Sequence, residues 1–291
     1  MNSFLLLDKA SGFSSFDVIR KLRKITKIRK IGHAGTLDPF ATGLLICATG
    51  QYTRLLKYAE AQYKSYEATV LFGKSSTTGD PDGEIVAKQI PQIQPQYLNQ
   101  LRQNVLALKE LQVPLYSAVH IEGERAYKLA RAGKNPQMPS RAVQIHDFEI
   151  LNYVPNASLS YRVKVSKGTY IRALSEYIAA QLGTIGLTSS LRRVAIGEIE
   201  ITRAKSLAEL EPDWEQGICP VSDILSNLSA LQVSPLQVED FRHGRRFSLG
   251  DDYSDGTELA LYDSEHRLIG IGSAVKGYIR PVLVINGDAA R

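Results

Sequence analysis

The chain has 291 residues, of which 44% are hydrophobic and 22% are charged, so it can bury a sizeable core in one large domain or in a large and a small one. Its formal charge of +5, from 35 basic and 30 acidic residues, leaves room for a local basic face that suits a polyanion. The two cysteines are too few for a disulfide framework. Because no apolar run approaches the roughly 20 residues that span a bilayer, we expect a cytoplasmic protein that does not enter a membrane.

The sequence begins with a predicted strand and a basic helix. Residues 1–8 form a short apolar run with no basic residue before it, which indicates a strand rather than a signal peptide. Ser14 and Asp17 fit the pattern Ser/Thr-x-x-Asp/Glu that is typical of a helix start, and apolar residues then recur at helical spacing. The densest positive patch of the sequence covers this helix and the residues after it: Arg20, Lys21, Arg23, Lys24, Lys27, Arg29 and Lys30.

A loop rich in glycine and other small residues follows at residues 31–43, where Pro39 pushes Asp38 towards extended backbone geometry. Residues 44–48 predict a buried strand or the start of a helix, and residues 66–72 predict a strand. Asp82-Gly83 predicts a turn before a short apolar run. From residue 115 to 143 the chain is polar and basic, with a short helix predicted near residues 125–131, which indicates a long insertion.

The second half of the chain predicts a strand, a helix and a small β-rich domain. Apolar residues alternate from Tyr161 to Val165 as in a strand, and they recur from Ile171 onwards as in a helix that Gly183 ends. The pattern loosens between residues 206 and 234. A short helix that ends at Gly244 then precedes three predicted strands, at residues 257–263, 267–274 and 279–285.

Several motifs give only weak signals of chemistry. Gly73-Lys74-Ser75 resembles the end of a phosphate-binding loop, but Ala68 occupies the place of its first glycine. Asp80-Pro81-Asp82-Gly83 resembles the start of a calcium loop, yet Ile85 stands where the turn requires glycine, so we interpret it as a hairpin connection. We expect no metal site, because the histidines are scattered and lack a second ligand at a metal-binding spacing: His33, His120, His146, His243 and His266.

Two residues have competing interpretations. Asp-Pro is a common turn dipeptide, so Asp38 alone is consistent with a solvated turn, although its loop follows a basic helix where a phosphate backbone would lie. Arg172 falls in the first turn of a predicted helix, where the helix dipole disfavours a cation. It is therefore either an exposed arginine without a partner or the bidentate partner of a buried carboxylate from another segment.

Residues 32–45 resemble the signature G-H-x-G-x-L-D-P-x-A-x-G-x-L of the bacterial tRNA pseudouridine-55 synthases, the TruB family. The resemblance covers most of residues 1–205 in order, and Ala10 departs from it by standing where the family usually has proline. The other matching motifs are Leu7-Asp8-Lys9 with Gly12 and Ser15, Lys64-Ser65-Tyr66, Pro114-x-x-Ser117-Ala118, Gly123-x-Arg125-Ala126-Tyr127, Ser166-Lys167-Gly168-Thr169-Tyr170-Ile171-Arg172 and Leu191-Arg192-Arg193.

This resemblance implies an α+β pseudouridine synthase fold with a mixed, largely antiparallel central sheet. It implies a catalytic domain at residues 1–228, with a thumb-like insertion at about residues 120–143, and a small C-terminal PUA-like RNA-binding β domain at residues 229–291. It also implies an activity, the conversion of uridine 55 in the T-arm loop of tRNA to pseudouridine. That conversion would use base flipping and an Asp-dependent exchange of the C–N glycosidic bond for a C–C bond.

By the same resemblance, Asp38 is the catalytic aspartate, Arg172 is its partner and Tyr66 stacks on the target base. Tyr170 and Leu191 match pocket-wall positions, and His33 matches a histidine that contacts RNA and helps to expose the base. The expected contacts to the RNA backbone come from the basic helix and from the insertion: Arg20, Arg23, Lys24, Lys27, Arg29, Lys30, Arg125 and Arg131.

The partner implied is tRNA, through its T-arm stem-loop. Because the reaction is an isomerisation, we expect no cofactor, and we expect a monomer that needs no protein partner. Two alternatives remain open: a related synthase that acts on another RNA, and a tRNA-folding or RNA-binding protein of the same fold. The complete set of Asp38, Tyr66 and Arg172 argues against a purely binding role. The residues alone do not decide whether Asp38 is a nucleophile, a stabiliser of a cationic sugar or a base.

Overall fold

The computed structural model describes residues 1–89, 91–249 and 252–286. Its strands, numbered β1 to β20 along the chain, are Phe4–Lys9, Ile31–Ala34, Thr42–Thr49, Lys64–Phe72, Lys74–Ser76, Ile85–Lys88, Glu110–Gln112, His120–Ile121, Glu124–Arg125, Ser140–Ala142, Ile145–Val154, Ser158–Val165, Gly186–Ile196, Ile199–Glu200, Ile218–Cys219, Ser229–Gln232, Phe247–Ser248, Glu258–Tyr262, Leu268–Val275 and Tyr278–Val284. Its α-helices, numbered α1 to α8, are Ser15–Thr26, Leu56–Ala61, Pro95–Leu106, Ala126–Arg131, Ile171–Gln181, Leu207–Leu210, Val221–Ile224 and Pro235–Arg242. Short 3-10 helices cover Gly50–Leu55, Ile201–Arg203 and Trp214–Gly217. None of the helices within these described ranges is long and apolar enough to cross a membrane.

The central sheet has the strand order β11-β12-β4-β13-β3-β1-β15, with β2 beside β3 and β14 beside β13. Its neighbouring strands run antiparallel except β13 and β3, which run parallel. The prediction of a mixed, largely antiparallel central sheet is therefore confirmed. The parallel pair joins the N-terminal strands to the middle of the sheet, so the loop between β2 and β3 ends beside β13, where Gly43 pairs with Arg193.

The first strand is buried on both faces because its side chains alternate between two hydrophobic clusters. Phe4 and Leu6 pack into a cluster that includes residues of α2 and of the C-terminal strands, whereas Leu5 and Leu7 pack against α1. Helix α1 starts at its predicted position, with Ser14 as the capping residue of a complete capping box. Its apolar side faces β1 and β3, so its basic residues are left on the outer surface.

Helix α5 is fixed on the other part of the sheet, over β4, β12 and β13. Alternate residues of β4 are buried on one face, as the predicted strand at residues 66–72 requires. A hydrophobic cluster fills the space between α5 and the sheet, and in it Ile171 and Leu174 of α5 pack with Val70 of β4. The hydroxyl groups of Tyr161 on β12 and Ser175 on α5 lie 2.7 Å apart in a buried hydrogen bond. The first turn of α5 therefore has a defined position relative to β4 and β13.

Sequence patterns do not predict β11, β13 or α3. Strand β13 lacks a clear apolar alternation because its buried positions include Thr188 and Arg193, which are 0% and 1% exposed. Strand β11 is an edge strand with bulges between Ile145 and Asp147 and between Ile150 and Asn152, which break the period of two. Pairing with neighbouring strands, rather than local periodicity, defines both segments.

The C-terminal residues form a second sheet with the order β16-β18-β19-β20-β17. The three predicted strands and the short helix before Gly244 are all present. The sheet is docked on the N-terminal part, because Tyr58 Oη donates a hydrogen bond to Glu258 Oε2 at 2.8 Å and Arg54 Nη1 donates one to Val284 O at 3.0 Å. A domain boundary at residues 228/229 stays a prediction, and residues 287–291 of the predicted PUA-like domain lie outside the described residues.

We expect Gly43→Ala to destabilise the protein more than Gly133→Ala. Gly43 and Gly133 both have positive φ angles, of 106° and 72°. An alanine in this backbone conformation is strained by about 1–3 kcal/mol. A Cβ on Gly43 would lie 2.3 Å from the carbonyl oxygen of Arg193, whereas nothing lies within 4 Å of a Cβ on Gly133. Chemical denaturation should therefore show an additional loss of about 1–3 kcal/mol in the free energy of unfolding for Gly43→Ala. Equal losses would contradict a tight contact between β3 and β13.

Candidate active site

The loop that carries Asp38 is held on one side by the segment between β1 and α1. The backbone N–H of Leu37 donates a hydrogen bond to Ser15 Oγ at 3.0 Å. The backbone N–H of Gly12 donates one to the carbonyl oxygen of Pro39 at 2.9 Å. The residues on both sides of Asp38 are thus fixed by direct hydrogen bonds to the start of the chain.

Buried cations bind backbone carbonyl groups of the same loop. Arg193 donates from Nη2 to Gly35 O at 3.0 Å, and Lys9 donates from Nζ to Pro39 O at 3.2 Å, although each is only 1% exposed. Buried Lys64 donates to two backbone carbonyls of the preceding segment. Burial lowers the pKa of Lys9 and of Lys64 to about 8; the charge of Asp38 opposes this shift for Lys9, while that of Arg193 reinforces it for both lysines.

Asp38 and Arg172 form the ion pair at the centre of the site. Arg172 donates from Nε to Asp38 Oδ2 at 2.9 Å and from Nη2 to Asp38 Oδ1 at 3.4 Å. The Arg172 side chain is 4% exposed and that of Asp38 is 35% exposed, so a substrate can reach the carboxylate but not its partner. The interpretation of Arg172 as the bidentate partner of a carboxylate from another segment is confirmed, although this carboxylate is half-buried instead of fully buried, and the alternative of an exposed arginine is wrong. Asp38 also starts a turn, because its carbonyl oxygen accepts a hydrogen bond from Ala41 N at 3.1 Å.

A second carboxylate, that of Asp80, faces the same guanidinium. Asp80 Oδ2 lies 3.5 Å from Arg172 Nε, and its side chain is 6% exposed. Thr78 Oγ1 donates a hydrogen bond to Asp80 Oδ1 at 2.5 Å, and Asp82 N donates another at 3.1 Å. Burial raises the pKa of Asp80 and the charge of Asp38 adds to this, whereas the Thr78 hydrogen bond and the charge of Arg172 oppose it. One arginine therefore serves two carboxylates of very different exposure.

Sequence reasoning did not find Asp80 in the site. The predicted hairpin connection is correct, since β5 and β6 pair on either side of it, but the connection also folds back onto α5. The one local signal is the threonine pair before Asp80, whose hydroxyls can solvate a buried carboxylate. Arg172 completes the junction by donating to two backbone carbonyls, Thr78 O and Tyr116 O, the latter at 2.9 Å.

The residues predicted to bind the base differ in their burial and surroundings. Tyr66 and Leu191 are each 7% exposed and share a hydrophobic cluster with Leu37, the residue before Asp38. Tyr170 is half-buried and immediately precedes α5. His33 is half-buried on β2; burial lowers its pKa, and its Nδ1 has no hydrogen-bond partner within the part of the chain that the structure describes. A half-buried carboxylate thus follows directly in sequence a residue of an apolar and aromatic cluster.

The residues predicted to bind the RNA backbone are all exposed, and in the described ranges none contacts the carboxylates of the site. On α1, Arg20 pairs with Asp17. In the insertion, Arg131 lies over the Tyr127 ring, 5.5 Å from its centroid, and Arg125 donates a hydrogen bond to a nearby backbone carbonyl. Pairing of β7 with β10 closes the base of this insertion. The remaining predicted residues, on α1 and just after it, are Arg23, Lys24, Lys27, Arg29 and Lys30.

Chains in two solved structures share this fold. The structure of an H/ACA RNP bound to a substrate RNA containing 2′-deoxyuridine superposes with a TM-score of 0.71 over 98% of this chain and 84% of that chain, at 19% sequence identity. A Cbf5-Nop10-Gar1 complex superposes with the same TM-score and coverage at 21% identity. At this level of identity the similarity establishes the fold alone.

The family model for "TruB family pseudouridylate synthase (N terminal domain)" matches residues 23–171. The tRNA pseudouridine synthase B of Lactococcus lactis subsp. lactis is 38% identical over 270 residues, which cover 88% of this chain and 82% of that protein. The tRNA pseudouridine synthase B of Thermobifida fusca is 32% identical, with 98% of each chain covered. Fold and sequence together define an enzyme of the pseudouridylate synthase class. The chain belongs to the TruB family of that class.

The lowered pKa of Lys64 predicts a pH dependence of stability. Below about pH 8 the lysine is charged in both the folded and the unfolded protein, and the folded state bears the full cost of burying the charge. Between about pH 8 and its ordinary pKa of 10.5, only the folded state loses the proton, so the free energy of unfolding rises with pH. Wild type should therefore gain stability relative to Lys64→Met over this range, as measured by denaturation at each pH.

Lys88→Met is the matched control for this measurement, because Lys88 is exposed on β6. The difference in the free energy of unfolding between Lys88→Met and wild type should stay constant over the same pH range. A constant difference for Lys64→Met as well would show that the folded protein does not depress the pKa of Lys64.

Proposed function

We propose that this TruB-family enzyme converts uridine 55, in the T-arm loop of tRNA, to pseudouridine, with Asp38 as the catalytic carboxylate. The observation that carries the proposal is the partly exposed Asp38 carboxylate, held by the buried guanidinium of Arg172 within the signature loop. Relatives named tRNA pseudouridine synthase B support tRNA as the substrate. The resemblance of residues 32–45 to the pseudouridine-55 signature supports the position within it.

The reaction rearranges one nucleotide and balances without a second reactant. The bond between C1′ and N1 breaks, the uracil turns in the pocket, and a bond forms between C1′ and C5. The proton leaves C5, and N1 gains one. An ionised carboxylate beside C1′ serves this sequence as a nucleophile, as a stabiliser of a cationic sugar or as a base. Arg172 supports each role, because its two hydrogen bonds hold the Asp38 carboxylate in one orientation.

Asp80 acts in this proposal as a positioning residue. Its buried carboxylate lies on the same guanidinium nitrogen that binds Asp38, and it is itself held by Thr78 and by the backbone of Asp82. The position of the guanidinium is thus set by groups that a substrate does not reach. Arg172 then presents Asp38 in one orientation whether or not RNA is bound.

The target uridine must leave its folded loop before it can react, at a cost of about a few kcal/mol in lost stacking and pairing. Stacking of the flipped base on Tyr66 offsets part of that cost, since base–aromatic stacking is worth about 1–3 kcal/mol. Tyr170 and Leu191 complete the pocket wall. We propose that His33, which its lowered pKa keeps neutral near pH 7, contacts the RNA beside the flipped base.

The exposed basic residues of α1 and of the insertion supply the electrostatic part of binding. Both groups face solvent and are free of the carboxylate pair, so they are available to phosphates on either side of the flipped nucleotide. Residues 120–143 act in this proposal as the thumb that grips the RNA. The C-terminal sheet acts as a PUA-like RNA-binding domain, from residue 229 onwards.

Asp38→Asn should abolish pseudouridine formation, because the amide carries no charge and is a poor nucleophile and base. Binding of tRNA should stay within about tenfold of wild type, or about 1.4 kcal/mol, since the phosphate-binding residues are intact. The assay uses purified protein and a tRNA transcript alone, so wild-type turnover also tests the expectation that neither a cofactor nor a protein partner is required.

Asp147→Asn is the matched control, because Asp147 is an exposed aspartate whose ion pair with Arg102 lies on the surface. It should turn over at the wild-type rate. Turnover by Asp38→Asn would sink the assignment of the catalytic residue. Mapping pseudouridine in total RNA from cells with and without the protein then identifies the substrate. If the protein-dependent pseudouridine lies outside tRNA, the enzyme acts on another RNA and the proposed substrate is wrong.

Replacing Lys24 and Lys27 by alanine should reduce the salt dependence of tRNA binding. Each phosphate contact contributes about one to the slope of log affinity against log salt concentration, so the double variant should lose about two. Binding titrations at several salt concentrations measure this slope. An unchanged slope would remove α1 from the RNA interface without affecting the assignment of Asp38.

A further inference from the structure

One buried hydroxyl group binds the backbone on both sides of Leu37, the residue before Asp38. Ser15 Oγ accepts a hydrogen bond from the N–H of Leu37 at 3.0 Å and donates one to the carbonyl oxygen of Leu37 at 3.3 Å. That carbonyl belongs to the same planar peptide group as the N–H of Asp38. Ser15 therefore fixes the two peptide groups that precede the Cα of Asp38.

The hydroxyl of Ser15 is not required for the start of helix α1, although Ser15 is its first residue. Ser14 caps this helix, because its Oγ accepts a hydrogen bond from Asp17 N at 3.1 Å. Asp17 Oδ2 accepts one from Ser14 N at 3.0 Å, so the capping box is complete without Ser15. The Ser15 hydroxyl thus stabilises the signature loop and not its own helix.

Ser15 complements the ion pair at the other end of the Asp38 side chain. Arg172 binds the oxygen atoms of the carboxylate, whereas the position of the Asp38 Cα depends on the backbone of the loop. After Asp38, the N–H of Gly12 donates to the carbonyl oxygen of Pro39 at 2.9 Å. Before Asp38, Ser15 binds the loop. The catalytic side chain proposed above is therefore held at its carboxylate and on both sides of its backbone.

Loss of the Ser15 hydroxyl would affect the position of Asp38 more than the binding of RNA. Leu37 is buried, so its N–H would be left without this partner unless the loop moved. A movement of Leu37 carries Asp38 with it, and a displacement of about 1 Å can slow a reaction about 100-fold. The exposed cations that are proposed to bind phosphates would stay where they are.

We propose that Ser15 is a positioning residue for pseudouridine formation, which acts through the backbone of Leu37 to place the Asp38 carboxylate against the substrate. The inference rests on the proposed function, because it takes Asp38 as the catalytic carboxylate. Ser15 is only 2% exposed, so it acts on the reaction without touching the RNA. It therefore contributes to the rate of the chemical step and not to the affinity for tRNA.

The kcat and KM of the full chain with a tRNA transcript separate positioning from binding. Ser15→Ala should lower kcat about tenfold or more and change KM by less than about twofold. Ser15→Thr keeps the hydroxyl, so its kcat should stay within about threefold of wild type. Ser15→Cys carries a weaker hydrogen-bonding group, so its kcat should lie between those of wild type and Ser15→Ala. It replaces Ser15→Ala if the alanine variant does not fold.

Thr49→Val is the matched control, because it removes a buried hydroxyl that binds backbone in the same way at a distance from the site. Thr49 Oγ1 accepts a hydrogen bond from Ser3 N at 2.9 Å and donates one to Ser3 O at 3.4 Å. It lies at the far end of β3 from Thr42, about 23 Å away at roughly 3.3 Å per residue. Thr49→Val should keep the kcat of wild type at a temperature at which both are folded.

Amide hydrogen exchange measures the anchor independently of activity. The N–H of Leu37 should exchange more slowly in the wild type than in Ser15→Ala. Equal exchange rates would overturn the inference, as would a wild-type kcat in Ser15→Ala. An equal loss of kcat in folded Ser15→Thr or in Thr49→Val would overturn it too. These results would leave wild-type turnover, and with it the proposed function, intact. Turnover that persists in Asp38→Asn would instead refute the catalytic role of Asp38.

Discussion

The guanidinium of Arg172 is the junction on which the proposed active site depends. It binds Asp38, Asp80 and two backbone carbonyls, and so joins the signature loop, the β5–β6 hairpin, the base of the insertion and helix α5. A buried ion that loses its partner typically costs about 3–5 kcal/mol, so these groups stabilise one another only as a set. The unequal exposure of the two carboxylates assigns them different tasks. Asp38 is accessible, where the proposed substrate would meet it, and Asp80 is buried beside the arginine.

The second constraint is the placement of buried cations beneath the signature loop. Lys9, Lys64 and Arg193 bind backbone carbonyls in place of carboxylates, so in the described residues their charges are not cancelled by ion pairs. Burial lowers the pKa of both lysines, which records the cost of this arrangement. In return the loop is held at the carbonyl groups of Gly35 and Pro39. Burying these charges lowers the free energy of unfolding, and it does so at the place where we expect the RNA to bind.

Local patterns predict the elements whose amphipathicity is simple. The capping box at Ser14, the alternation along β4 and β12, and the three C-terminal strands are all visible in the sequence and present in the structure. Strands β11 and β13 are not, because bulges break the first and buried polar residues occupy the second. For Arg172, a cation at a helix start indicated a possible buried partner, and the family resemblance named Asp38 as that partner, whereas Asp80 gave no comparable signal and reads as part of a turn.

The sequence by itself determined the family, through the signature at residues 32–45, and it nominated Asp38, Tyr66 and Arg172 as a set. It also located the densest cluster of positive charge, because residues 20–30 contain seven cations and no acidic residue. Tertiary structure alone decided that Asp80 shares the arginine and that the insertion is tied to it through Tyr116. The physical reason is that charge pairing and hydrogen bonding depend on distances in space, and those distances join segments that the chain separates by dozens of residues.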